Sequence, residues 1–98
     1  MRDIVIIGAG GFGREVACLI HRINQVRPEW NLLGFIDENE AVGTKNPYGK
    51  VLGNLDYVNR YQDELSVVMG IATPEVLERI SGCISNTKID VPNLIDPS

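Results

Sequence analysis

Gly8, Gly10, Gly11 and Gly13 stand together, directly after Asp3-Ile4-Val5-Ile6-Ile7 and directly before Arg14-Glu15-Val16-Ala17. Gly8, Gly10 and Gly13 fill a G-x-G-x-x-G pattern. The residues around it read as strand, turn and helix, the context that this pattern requires. The chemistry on offer is anion binding. A tight turn needs φ > 0, which glycine accepts at little steric cost. Missing Cβ atoms let a phosphate approach the backbone, and the following helix presents unpaired N–H groups and the positive end of its dipole. The competing reading is a turn that only lets helix and strand pack closely. Arg14 falls in the first turn of the helix, where it reaches either a phosphate or water.

A second group is acidic. Asp37-Glu38-Asn39-Glu40 follows the apolar run Trp30 to Ile36, and Asp37 lies 24 residues after Gly13 (37 − 13). An acid at the end of a second strand accepts hydrogen bonds from ribose hydroxyls. The alternative is a solvated loop opening in which Asp37 starts a turn. Glu38 and Glu40 read first as solvated. A third segment, Gly70-Ile71-Ala72-Thr73-Pro74, leads from another apolar run into a helix.

Catalytic groups are sparse. His21 is the one histidine, it falls on a surface arc of the first helix, and no metal-ligand spacing surrounds it. Neither G-x-S-x-G nor H-E-x-x-H occurs. Cys18 and Cys83 form no C-x-x-C and read as free, buried thiols of a reduced compartment. The residues describe a binding site without evident catalytic machinery.

The elements that must position these groups follow from periodicity. Val16, Ile20 and Ile23 give the first helix, about Phe12 to Asn24, an apolar stripe. After Arg27-Pro28-Glu29, Trp30 to Ile36 is the second strand. Ala41 to Lys50 is a loop, and Lys50-Val51-Leu52-Gly53 is a very short strand. Asn54 caps a helix over Leu55 to Tyr61. Leu65 to Ile71 is continuously apolar, as in a strand covered on both faces. Thr73-Pro74-Glu75 opens a helix with Val76, Leu77, Ile80 and Ile84 as its buried stripe. Ile89 to Ile95 is a last strand, demoted to an edge by Pro92. This alternation predicts an α/β, Rossmann-like domain over residues 1–98. Its small, mainly parallel sheet has about five strands, the third shortest, with helices on both faces. The predicted core contains Ile4, Ile6, Val16, Ile20, Phe35, Val67, Met69, Leu77 and Ile80. Ligands of such sheets bind beyond the carboxyl ends of the strands, where Gly8 to Gly13, Asp37-Glu38 and Gly70 to Pro74 converge.

Composition bounds the partners. A net charge of −4 argues against a long nucleic acid, which needs a basic face. It leaves room for a small anion held by backbone dipoles. No apolar run reaches membrane-spanning length and no signal peptide is evident, so the expected partners exclude membrane and the expected compartment is the cytoplasm.

Several segments together carry a resemblance. Ile6-Ile7-Gly8-Ala9-Gly10-Gly11-Phe12-Gly13-Arg14-Glu15 resembles the opening of sugar O- and N-acyltransferases related to sialic acid O-acetyltransferase and the bacillosamine-pathway N-acetyltransferase. Gly34-Phe35-Ile36-Asp37-Glu38 is similar to their second strand and acidic pair, and Val51 to Asp56 to their short third strand. Gly70-Ile71-Ala72-Thr73-Pro74 stands where a Gly-Asn-Pro or Gly-Asp-Pro turn is usual, and Asn93 to Ser98 resembles the stretch leading into a second domain. Phe12 replaces a histidine of some members, Leu77 an arginine of many, and Asp96 a frequent histidine.

The resemblance implies a Rossmann-like N-terminal domain that binds a nucleotide-sugar acceptor, commonly a UDP-sugar. It places diphosphate or sugar contacts on Gly10, Gly11, Phe12 and Gly13, nucleoside contacts on Asp37 and Glu38, and pocket lining on Ala72 and Thr73. It implies no cofactor in this domain. Acetyl-CoA is then co-substrate of a full-length enzyme, which trimerises through a following β-helix of hexapeptide repeats that carries the catalytic histidine. Residues 1–98 hold no such repeat, so they read as a fragment or a stand-alone domain, inactive in acyl transfer by themselves. Two other readings stay open: a nicotinamide-binding domain of an oxidoreductase, and a nucleotide-sensing module.

Overall fold

Strand β1 (Arg2–Ile7) occupies the middle of the sheet, because its run of β-branched residues is buried on both sides. The structure, a computed structural model, describes residues 1–95. After β1 come α1 (Gly11–Val26), β2 (Trp30–Ile36), β3 (Lys45–Asn46), β4 (Gly49–Gly53), α2 (Leu55–Arg60), β5 (Leu65–Met69), α3 (Pro74–Cys83) and β6 (Ile89–Asp90). The six strands lie in the order β3-β4-β2-β1-β5-β6. All neighbours are parallel except β3 and β4, which form an antiparallel hairpin at one edge.

Side-chain alternation sorts β1 between two cores. Ile4 and Ile6 pack with Ala17, Ile20 and Ile23 of α1 and with Trp30 and Phe35. Val5 and Ile7 pack on the other face with Leu55 and Val58 of α2, Val67, and Ile80 of α3. One irregularity makes β2 serve both cores. The register against β1 shifts between Ile4↔Leu32 and Val5↔Gly34, so Leu33 is an extra residue. That bulge resets the parity, and Leu32 and Phe35 both reach the α1 side while Leu33 and Ile36 reach the other.

The α/β class, the parallel crossovers and the edge position of the last strand agree with the sequence reading. Five details differ. The sheet has a sixth strand, β3, because the polar Lys45-Asn46 pairs back on Gly49-Lys50. The strand over Gly49–Gly53 is as long as β5; the shortest are β3 and β6, at two residues each. β6 ends at Asp90, before Pro92. Val16, Met69 and Leu77 are only half-buried, with Val16 and Met69 at the margins of the cores. The cysteines are free but not buried: Cys18 is half-covered beside Arg22, whose guanidinium donates to Sγ at 3.2 Å, and Cys83 is exposed in the last turn of α3. The predicted second-domain stretch falls partly outside the described residues, at Asp96 to Ser98.

At the end of the sheet remote from the glycine turn, the Tyr61 hydroxyl donates to Asp3 Oδ2 at 2.6 Å, tying the end of α2 to the start of β1. That bond holds the Asp3 carboxyl below its ordinary range, with help from Asn31. It also pushes the Tyr61 phenol up from 10.0 to about 12. A raised folded-state value means stability that is complete below the ordinary phenol value and lost as pH climbs toward the folded one. Stability should therefore fall between about pH 10 and 12. Tyr61→Phe is expected to remove that alkaline step and to cost about 1 kcal/mol near neutrality, since the pair is half open to water. Urea titrations at several pH values check both effects.

Candidate functional site

The glycine turn is built by two different physical demands. Gly8 has φ +106°, and a Cβ there would lie 2.8 Å from the Gly70 carbonyl oxygen. Gly13 has no space at all: an added Cβ would stand 1.9 Å from the Gly8 carbonyl oxygen. Gly70, at the end of β5, would place a Cβ 2.7 Å from the Gly13 Cα. These three glycines let strand, turn and helix close onto one another. The neighbours pin the arrangement, with the Gly8 N–H donating to Ile36 O and the Gly70 N–H to Ile7 O, both at 2.7 Å.

Gly10 and Gly11 are different. An added Cβ meets nothing within 4 Å at either position, and both face open space. Gly10 has φ −77°, a value any residue adopts. The fold gives no reason for glycine there. The α1 N-terminus begins at the same place, with no side-chain cap and no acid in its first turn. Its leading N–H groups have no intrahelical acceptor, and no acid in its own first turn offsets its positive dipole end.

A cleft of about 390 Å³ opens at this point, beyond the carboxyl ends of β1, β2 and β5. Gly8, Gly10, Gly11 and Phe12 form one wall, and Asp37, Glu38 and Asn39 a second. Leu55, Gly70 and Ile71 line its floor side, and Val76, Arg79 and Ile80 of α3 close it. It sits where the chain, having moved outward from β1 to β2, crosses to β5 on the other side, the switch point of the sheet. Its volume is within the range of small-molecule sites.

Asp37 holds the two walls together. Its Oδ2 accepts from the Ala9 N–H at 3.0 Å, and its Oδ1 accepts from the N–H groups of Asn39 and Glu40 at 2.8 and 3.2 Å. Burial pushes the carboxyl up, but the three backbone donors outweigh it and hold the group below its ordinary value. Asp37 is thus a firmly ionised acceptor. A carboxylate offers about four acceptor sites, so Oδ2, with one bond from Ala9, keeps a further one. Glu38 is exposed and faces Arg79 across the cleft, with Oε2 3.6 Å from Nη1.

The structure therefore gathers Gly10, Gly11, Phe12, Asp37 and Glu38 around one cleft. Gly13 is buried behind it as a packing residue, and Arg14 is exposed outside the lining. Ala72 and Thr73, expected to line the pocket, are exposed outside its walls. Gly70 and Ile71 take that place, because Thr73 already stands at the N-cap of α3 and the chain has turned outward. Sequence reasoning missed Arg79. The signal was its spacing: it lies three residues after Val76 and beside Ile80, on the margin of the apolar stripe.

A larger depression, about 760 Å³, lies at the opposite end of the strands. Its two cationic side chains are already engaged, Arg2 by Asp90 at 2.6 Å and Lys88 by the Gln62 carbonyl at 2.7 Å.

Over residues 3–82 the sequence matches the PglD N-terminal domain. The chain belongs to this family. The match runs from β1 to the last turn of α3 and so includes every wall of the glycine cleft. The PglD-type domain is the N-terminal domain of bacillosamine N-acetyltransferases, within the sugar acyltransferases that the segments resemble. No match to a curated protein is found. Among the described residues of this PglD-type domain no helix is long and apolar enough to cross a membrane. Nor do three or more His, Cys, Asp or Glu side chains gather where they could hold a metal ion.

Proposed function

We propose that the cleft binds the nucleotide-sugar acceptor of a sugar acetyltransferase, a UDP-sugar. The observation that carries this reading is the open pair Gly10 and Gly11. Glycine is required there by neither backbone angle nor packing, and close approach of a ligand diphosphate supplies the missing reason. The uncapped start of α1 provides the donors, and the remaining lone pair of Asp37 accepts from the nucleoside. Phe12, nearly half exposed at 46%, offers an apolar face beside them.

In this reading the domain presents the acceptor, and the acetyl group comes from acetyl-CoA bound elsewhere in a trimeric, cytoplasmic enzyme. Acyl transfer needs a base within hydrogen-bond reach of the nucleophile. His21 does not fit that role: it is exposed on α1, contacts Gln25 at 3.3 Å and is not part of the cleft.

Calorimetry with UDP-N-acetylglucosamine and with NAD tests the reading. Tighter binding of the UDP-sugar supports it. Tighter binding of NAD replaces it with a nicotinamide-binding domain.

A further inference from the structure

We infer that Arg79 is the diphosphate clamp of this cleft, and that Glu38 occupies it while the site is empty. The inference rests on the nucleotide-sugar reading and extends it to a residue on the opposite wall.

Among the described residues that line the cleft, Arg79 is the one cation. Its place on α3 decides its direction. Val76, Arg79 and Ile80 are spaced three and four residues apart, so they share one helix face, and all three line the cleft. Glu78, by contrast, is outside the lining. An arginine on the cleft side of an amphipathic helix is placed to meet an anion in the cleft. The anion present is Glu38, at 3.6 Å on the facing wall.

That pair is a weak one. The side chains are 61% and 46% exposed, and 3.6 Å is a long contact for a charge-assisted bond. Exposed ion pairs of this kind contribute little, so the pair gives way readily. A diphosphate in the cleft also meets an electrostatic problem. Asp37 and Glu38 both line the site, and Asp37 is held ionised by its backbone donors. Backbone N–H groups on the glycine wall bind the anion from one side only. Arg79 supplies the opposite side, with a planar fork suited to phosphate oxygens. Glu38 then competes with the ligand for the same guanidinium, and binding exchanges a long intramolecular pair for a shorter one to phosphate.

The experiment titrates UDP and uridine into the wild type, Arg79→Gln, Arg79→Lys and Glu38→Gln, with thermal melts to confirm folding. Arg79→Gln should weaken UDP by about tenfold and leave uridine unchanged. Arg79→Lys should keep part of the affinity, as a point charge without the fork. Glu38→Gln should tighten UDP by a few-fold, since it removes the competitor. Equal UDP affinity in wild type and Arg79→Gln overturns the clamp while leaving the nucleotide site in place. Equal loss of UDP and uridine in Arg79→Gln also overturns it, by showing a structural role. Weaker binding of both ligands by Glu38→Gln overturns the restraint and makes Glu38 a nucleoside contact. A wild type that binds neither UDP nor uridine overturns the nucleotide reading, and the clamp with it.

Discussion

Gly13→Ala is expected to cost the domain at least about 3 kcal/mol, and Gly11→Ala almost nothing. The new methyl of Gly13→Ala would stand 1.9 Å from the Gly8 carbonyl oxygen and 2.9 Å from its carbon. Neither partner has room to retreat. Gly8 is bonded to Ile36, and the backbone of Gly70 packs directly against the Gly13 Cα. α1 must therefore lift off β1, and the contacts of Ala17, Ile20 and Ile23 with Ile4 and Ile6 loosen together. Against a typical domain stability of about 5–15 kcal/mol this is a large fraction, and the melting point should drop by roughly 12 °C or more. Gly11 is the first residue of α1 with open space around it. Alanine is a better helix former there, so stability should hold within about 0.5 kcal/mol. UDP-sugar affinity should nevertheless fall, because the methyl occupies the space assigned to the diphosphate. Denaturation curves and calorimetry on the two variants separate fold glycines from ligand glycines. Equal destabilisation by both would contradict that division.

Asp37→Ala carries the second large effect, and it acts twice. It leaves the Ala9, Asn39 and Glu40 N–H groups without their acceptor and removes one tie between the glycine turn and the end of β2, leaving the Gly8 N–H to Ile36 bond in place. It also removes the lone pair assigned to the nucleoside. Affinity for a UDP-sugar should fall by about 1–3 kcal/mol, the range for a lost hydrogen bond to a charged group. Stability should fall by about 1 kcal/mol, since the turn is half exposed. Asp37→Asn should recover part of both, because an amide oxygen in the Oδ1 place still accepts from the Asn39 and Glu40 N–H groups, while an amide nitrogen in the Oδ2 place cannot accept from Ala9. Unchanged UDP-sugar affinity in Asp37→Ala, measured by calorimetry on folded protein, would remove the carboxylate from the site.

The same residues show how far the sequence could be read. β1, the glycine turn and α1 were legible because strand pattern, turn chemistry and helix periodicity agree over a few consecutive residues. Asn54 announced α2 correctly, and its side chain accepts from the Asp56 N–H at 2.9 Å. β3 was not legible. Lys45 and Asn46 are polar, and two residues give no alternation to detect. The Leu33 bulge was hidden because Leu32-Leu33 reads as apolar in either parity. At Asp37 the spacing pointed to a ligand contact, and the structure adds a partner that spacing cannot reveal, the Ala9 N–H across the cleft. Thr73 was recognised as the N-cap position, but its side chain makes no capping bond. Arg79 escaped because a one-residue shift around a helix separates a cleft wall from solvent, and only the packed position of α3 decides between them.

The central claim is that a nucleotide-sugar binds between the glycine turn, Asp37 and α3. Its most direct test is a titration of the isotope-labelled domain with UDP-N-acetylglucosamine, followed through the backbone amide signals in two-dimensional NMR. The account predicts saturable shifts concentrated at Gly10, Gly11, Phe12, Asn39 and Arg79, with Gln25, Ser66 and Asp90 unaffected. Shifts centred on Arg2, Ser66 and Asp90 at the far end of the sheet, or no saturable shift at millimolar ligand, would contradict it.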